Sequence, residues 1–115
     1  MELGKKIDHE NFTKGHRPFD DMNGFVNAIR RNGIFILWSW GAHAWTKMNA
    51  YCLRFMVSGN HHKGHVYIVV NGADLFDAYL TTSRGTIKSI EKDIYIEDFI
   101  DRLDSKIERI DAYKY

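Results

Sequence analysis

The strongest hydrophobic pattern in this chain is a pair of apolar runs separated by a short polar segment. Residues 66–70 are β-branched or aromatic, which favours a strand. Apolar side chains occupy both alternating positions of this run, which predicts a strand in mid-sheet with both faces covered. Residues 71–74, Asn-Gly-Ala-Asp, predict a chain reversal. The returning run places Phe76, Ala78 and Leu80 on the face that we expect to point into the core.

Four other segments have the length and composition of strands. Residues 34–40 form a short apolar run, and Gly41-Ala42 interrupts it before a possible second strand at residues 43–47. Residues 51–57 alternate, with Leu53, Phe55 and Val57 on one face. A reversal at residues 82–85 precedes a last predicted strand at residues 86–90.

Two segments have helical periodicity instead. The first, residues 19–31, follows Pro18 and is stopped by Asn32-Gly33. The second begins near Tyr95, and Asp93 is its predicted N-cap. Its apolar stripe comprises Ile96, Phe99, Ile100, Leu103, Ile107 and Ile110.

These elements predict an α+β fold. We expect an antiparallel meander sheet of five or six strands, with an N-terminal helix and a C-terminal helix packed on the sheet. Residues 1–17 are predicted to be a polar N-terminal arm, and residues 18–115 a single domain.

Charge and cysteine content narrow the classes of function. The formal net charge is +1, which argues against strong attraction to nucleic acid or to an anionic membrane. Cys52 is the only cysteine, so no intramolecular disulfide can form and a reducing cytoplasm is expected. No apolar run is long enough to span a bilayer. We therefore expect a cytoplasmic protein with no membrane partner.

The chain has a family resemblance. It is carried by residues 66–77, Gly33, Gly41-Ala42 and the acidic C-terminal helix. Over roughly residues 32–110 the chain resembles short uncharacterised proteins of bacteriophages and other bacterial mobile elements. The resemblance implies an accessory role in a bacterial host cytoplasm. It implies no catalytic residues.

Two groups of side chains have residue types that can form a metal or catalytic site, and the simpler interpretation is favoured for each. His61, His62 and His65 are expected to lie in a solvated loop rather than to bind a metal. Cys52 is expected to be a buried strand residue rather than a nucleophile paired with His43. Neither a cofactor nor an enzymatic activity is predicted.

The acidic residues Asp74 and Asp77, with Glu91 or Asp93, could also form a carboxylate pair for acid–base or metal chemistry. We expect instead that Asp74 belongs to the turn. Asp77 is expected to face solvent or to pair with Arg54 or Lys88.

The remaining hypothesis is non-catalytic binding through an aromatic sheet surface, because Trp, Tyr and Arg are enriched in interface hot spots. The partner would be a host protein or a second copy of the chain. The alternative is a small nucleic-acid-binding module that uses basic and aromatic residues of the sheet. A third possibility is that the three Trp residues belong to the core. The candidate binding residues are Trp38, Trp40, Trp45, Arg54, Tyr67, Tyr79 and Arg84.

Overall fold

Two helices and a five-stranded sheet make up the part of the chain that the computed structural model describes, residues 3–8 and 16–108. The strands pair in chain order, each antiparallel to the next. The predicted α+β class, with a meander sheet between an N-terminal and a C-terminal helix, is confirmed. The elements are α1 (Met22–Ser39), β1 (His43–Asn49), β2 (Cys52–Ser58), β3 (Lys63–Val70), β4 (Phe76–Thr81), β5 (Ile87–Ile94) and α2 (Phe99–Ile107), with a 3-10 helix at Ile96–Asp98.

Helix α1 is longer than predicted, and the strand predicted at residues 34–40 is wrong. The helix continues through the expected stop at Asn32-Gly33 and ends at Ser39. Its buried residues keep helical spacing across that point: Met22, Phe25, Ile29, Gly33 and Leu37. The apolar run after Gly33 thus extends one helical stripe, and its length and β-branched content were misleading.

Gly33 bends α1 and brings it close to α2. Its φ and ψ angles, −157° and 43°, are not helical, so the two halves of α1 meet at a kink. A Cβ atom on Gly33 would lie 3.0 Å from Cγ2 of Ile100 in α2. The absent side chain therefore allows the two helices to approach, and this tertiary contact outweighs the local stop signal.

The β3–β4 hairpin forms as predicted, and β3 is the central strand of the sheet. The predicted turn is present, but its residue with positive φ is Asp74, at 65°, rather than Asn71 or Gly72. The Asn71 side chain organises the turn, because its Oδ1 accepts hydrogen bonds from the backbone N–H groups of Ala73 and Leu75.

One apolar core fills the space between the sheet and both helices. The predicted inward residues of β2 and β4 belong to this core, together with residues from α1 and α2, except that Phe76 is half-buried and packs against it. Both helices therefore cover the same face of the sheet, which we call the inner face. The opposite face, called the outer face, carries Cys52, Arg54, Tyr67, Val69, Asp77 and Tyr79.

The C-terminal helix is confirmed as far as Ile107, while Ile110 lies outside the described residues. The prediction that Asp93 caps this helix is wrong. Asp93 is still in β5 with a φ of 56°, and its Oδ1 accepts a hydrogen bond from Nδ2 of Asn71. Within residues 3–8 and 16–108, no helix is long and apolar enough to cross a membrane.

Part of the predicted N-terminal arm is paired with the sheet. Backbone N–H groups of Gly4 and Ile7 donate hydrogen bonds to the carbonyl oxygens of Ile87 and Gly85, and Ile87 donates in return to Lys5. The Ile7 side chain is 9% exposed and packs on the outer face. Residues 9–15 of the predicted arm lie outside the described residues.

Candidate binding surface

The seven predicted binding residues do not form one surface. Trp38 lies on the outside of α1, and Trp40 lies in the core. Trp45 is a residue of β1 and lines a cavity. Three more, Arg54, Tyr67 and Tyr79, form a row across the outer face. Arg84 is exposed in the turn between β4 and β5. The proposed aromatic sheet surface is therefore divided among separate parts of the molecule.

Trp38 is the most exposed of the predicted rings. It is 66% exposed and lies against Phe35, which is 75% exposed, with ring centroids 5.4 Å apart and planes at 89°. This edge-to-face geometry is favourable for two aromatic rings. Together they form an aromatic surface on the second half of α1, which we call the α1 aromatic pair.

Sequence reasoning missed Phe35 because it assigned this segment to a strand. On a helix, the buried stripe from Met22 to Leu37 passes through Gly33 and leaves Phe35 and Trp38 outside it. Large apolar residues away from the buried stripe were the signal that could have identified the pair.

Trp40 belongs to the core, as the third interpretation proposed. It is fully buried, and its indole Nε1–H donates a 2.8 Å hydrogen bond to the Asp104 carboxylate of α2. A buried indole normally needs such an acceptor. Trp40 therefore holds the end of α1 against α2 and cannot contact a partner.

Trp45 is half-buried on the inner side of edge strand β1. Its ring stacks on Phe55 with centroids 4.2 Å apart and an interplanar angle of 16°. Trp45 also lines a cavity of 640 Å³ between α1 and β1. This volume is within the range of small-molecule sites, about 300–1,000 Å³.

The outer face carries the predicted row, but its rings are covered. Tyr67 pairs across the strands with Arg54 on one side and Tyr79 on the other. The two tyrosines are only 2% and 4% exposed, and Ile7 packs in the same apolar cluster. Base stacking requires exposed ring faces, which these residues do not offer.

Burial also changes the acid–base properties of the outer face. It raises the pKa of Cys52 to about 12, so the thiol stays protonated and is a poor nucleophile near neutral pH. Burial raises the pKa of Tyr67, which a hydrogen bond with Arg54 partly offsets. The pKa of Tyr79 is raised by burial and by the nearby Asp77 carboxylate.

The expectation for Cys52 as a buried strand residue is confirmed. In the β1–β2 register, His43 is opposite Met56 while Cys52 is opposite Asn49, so the proposed pair lies at opposite ends of the two strands. This separation excludes the Cys52–His43 pair.

The histidine loop differs from the prediction at two positions, His62 and His65. His62 is 8% exposed, and burial lowers its pKa, which favours the neutral imidazole. His61 is exposed, while His65 is half-buried on β3. Among residues 3–8 and 16–108, no three His, Cys, Asp or Glu side chains are arranged to hold a metal ion.

The prediction for Asp77 is wrong, because it neither faces solvent nor pairs with Arg54 or Lys88. Its side chain is buried and its Oδ1 accepts hydrogen bonds from Nδ2 of Asn71, at 2.9 Å, and from the backbone N–H of Asp93, at 3.0 Å. These donors stabilise the buried carboxylate and join the β3–β4 turn to β5.

Comparison with protein-family models, curated proteins and solved structures gives no match for this chain.

Proposed function

We propose that the protein is a non-catalytic binding protein that associates with a second copy of itself through the α1 aromatic pair. The observation that carries the proposal is the exposure of Phe35 and Trp38, at 75% and 66%, in contact with each other on one helix. Such rings contribute strongly to affinity when a partner covers them. This exposure favours α1 over the sheet as the position of the aromatic binding surface.

The charge pattern around the pair supports a second copy as the occupant. Residues 32–46 contain no Lys, Arg, Asp or Glu. In a two-fold interface each patch meets its own copy, so any charge near the axis faces a like charge. A patch formed by residues 32–46 brings no like charges of its own to the axis, and the centres of homodimer interfaces are depleted of charge in the same way.

The area of the patch is consistent with a small interface. A large aromatic side chain can bury about 150–250 Å². Four mostly exposed rings from two copies therefore supply roughly half of the ~1,000 Å² that a specific interface needs. The exposed, uncharged residues Ser39, Gly41 and His43 follow the pair in the chain and can supply part of the remainder.

We extend the proposal to an accessory role in a bacterial cytoplasm, encoded by a bacteriophage or another mobile element. The pattern of residues 66–77 supports this origin. The single cysteine, Cys52, is compatible with a reducing compartment.

Sedimentation of the full chain over a wide range of concentration tests the self-association. We expect a reversible dimer, and the double variant Phe35→Ser, Trp38→Ser should weaken it more than tenfold. Tyr95→Ser is the matched control, because Tyr95 is 57% exposed but lies before α2, and it should leave the dimer unchanged.

A wild-type chain that stays monomeric at every concentration would contradict the proposal, as would a dimer that persists in the double variant. If the wild-type chain is monomeric but captures a bacterial protein, and the double variant does not, the α1 aromatic pair binds a different protein instead of a second copy.

A further inference from the structure

We propose that the cavity between α1 and β1 is a binding site for a small planar aromatic ligand that carries a carboxylate or phosphate group. This site is separate from the α1 aromatic pair and does not depend on self-association. Its volume of 640 Å³ is large enough to enclose most of such a ligand.

The floor of the cavity is apolar and contains an aromatic ring. Val26 of α1 and Leu53 of β2 contribute aliphatic side chains, and Trp45 contributes its indole. Phe55 stacks against the indole and fixes its orientation. A fixed, half-buried indole that lines a cavity provides a surface on which a planar ring can stack.

The helical wall of the cavity presents polar groups in a regular row. Asn23, Asn27 and Arg30 are spaced at i, i+4 and i+7, which places them on one face of α1 before the kink at Gly33. In the described part of the chain, none of these three side chains has a hydrogen-bond or ion-pair partner. Their donors are available to a ligand.

A second cation faces the row from the sheet. Lys47 of β1 lines the same cavity and, like Arg30, has no ion-pair partner among the described residues. Two cations in one cavity favour an anionic group, and guanidinium binds carboxylate and phosphate with directed hydrogen bonds.

The carboxylates at the other end of the cavity define the orientation of the ligand. Asp21 caps α1, since its Oδ1 accepts a 2.9 Å hydrogen bond from the N–H of Gly24, and Asp20 is exposed beside it. Both repel an anion. We therefore place the anionic group closest to Arg30, nine residues along α1 from Asp21, with the ring on Trp45. Lys47 lies nearer to the carboxylates, because the carbonyl of Ala50, just after β1, accepts a hydrogen bond from the N–H of Phe19, and its attraction for the anion is weaker.

Titration of the isotopically labelled full chain, followed by NMR, tests the site with three probes of one shape. Indole-3-acetate is an anion, indole-3-acetamide is neutral, and tryptamine is a cation. We expect affinity to fall in that order, by on the order of tenfold from the anion to the cation. Stacking should shift the ring protons of the bound acid upfield, and the amide signals of residues 23–30 and 45–47 should move.

Charge-removing variants locate the anionic group. Arg30→Gln should weaken indole-3-acetate on the order of tenfold and Lys47→Gln by a smaller factor, because each removes a charged donor but Lys47 lies nearer to the carboxylates. Lys88→Gln, on the exposed side of β5, is the matched control and should change nothing. Adenosine 5′-monophosphate distinguishes the two ligand sources: binding tighter than that of the acid supports a phosphate ligand, and weaker binding supports a carboxylate.

The proposal would be overturned if none of the probes moved the cavity signals, or if tryptamine bound more tightly than the acid. Equal affinity of Lys88→Gln, Arg30→Gln and Lys47→Gln for the acid would also reject it. Amide spectra of the three free variants that match the wild type would show that each is folded.

Discussion

The two faces of the sheet are both covered, but by different kinds of contact. The inner face lies under two helices in a core that, among the described residues, contains no Cys or Tyr. The outer face combines apolar residues with Cys52, Tyr67 and Tyr79, whose pKa values are raised by burial, and Ile7 packs against them. The first face is stabilised by extensive apolar packing, and the second also depends on keeping these groups protonated and on the contact with the N-terminal segment, residues 4–7.

The largest effect is expected on the inner face. Phe99 of α2 is fully buried and contacts Phe25 of α1 edge-to-face, with ring centroids 5.1 Å apart. Phe99→Ala should lower the free energy of unfolding by about 3–5 kcal/mol, because it removes a large buried ring and leaves a cavity. Urea unfolding measures this change. Tyr95→Ala, which truncates an aromatic ring that is 57% exposed and lies outside the α1 aromatic pair, should change it by less than about 0.5 kcal/mol. Equal losses for the two variants would refute the assignment of Phe99 to the core.

An intermediate effect is expected where Ile7 of the N-terminal segment packs on the outer face. Ile7→Ala removes three buried carbon atoms and should cost about 2 kcal/mol. Hydrogen exchange at the Ile87 amide, which is bonded to the carbonyl of Lys5, should become faster. Leu3→Ala is the matched control, because Leu3 is 62% exposed. If exchange at the Ile87 amide were equally fast in Ile7→Ala and wild type, the pairing of residues 4–7 with the sheet would not depend on the Ile7 side chain.

The smallest expected effect is a pH dependence of the free energy of unfolding that arises from Cys52 on the outer face. The pKa of Cys52 is about 12 in the folded chain and 9.0 in the reference state, so only the unfolded chain loses this proton between those values. Stability that is complete below pH 9 should therefore fall as pH rises, with Cys52 contributing about 1 kcal/mol of the loss by pH 10. Unfolding of Cys52→Ala between pH 8 and pH 10 should show a shallower decline.

Val69→Ala is the control for this pH dependence, because Val69 is the cross-strand partner of Cys52 and does not ionise. It should lower stability equally at both pH values. A decline in Cys52→Ala as steep as that of the wild type would show that Cys52 does not contribute to the alkaline loss.

The elements that could be predicted are those whose signals are local. The β3–β4 hairpin follows from residues 66–82 alone, and α2 follows from one apolar stripe. The end of α1 could not be predicted in the same way, since the Gly33 stop signal is overridden by contact with Ile100. The residue that packs against Gly33 lies 67 positions further along the chain, where no local pattern around Gly33 indicates it.

The candidate site was harder to predict because exposure depends on distant contacts. Tyr67 and Tyr79 alternate correctly onto the outer face, but nothing near them in sequence indicates that Ile7 will pack there. Asp77 likewise needed Asn71 and the backbone of Asp93 as partners. Trp38 was a candidate because of its residue type. Its exposure results from the helical geometry of α1, which the sequence pattern did not predict for this segment.

The pairing of the N-terminal segment with residues 85–87 also constrains the order in which the chain can fold during synthesis. Lys6 is bridged to Thr86, so this contact spans about 80 residues and has a high loop-closure cost. The meander sheet can form from hairpins between strands that are neighbours in the chain. Residues 4–7 can pair only after residues 85–87 have left the ribosome. Until then Tyr67 and Val69 lack one of their covering contacts, and the nascent chain presents an apolar surface that chaperones recognise.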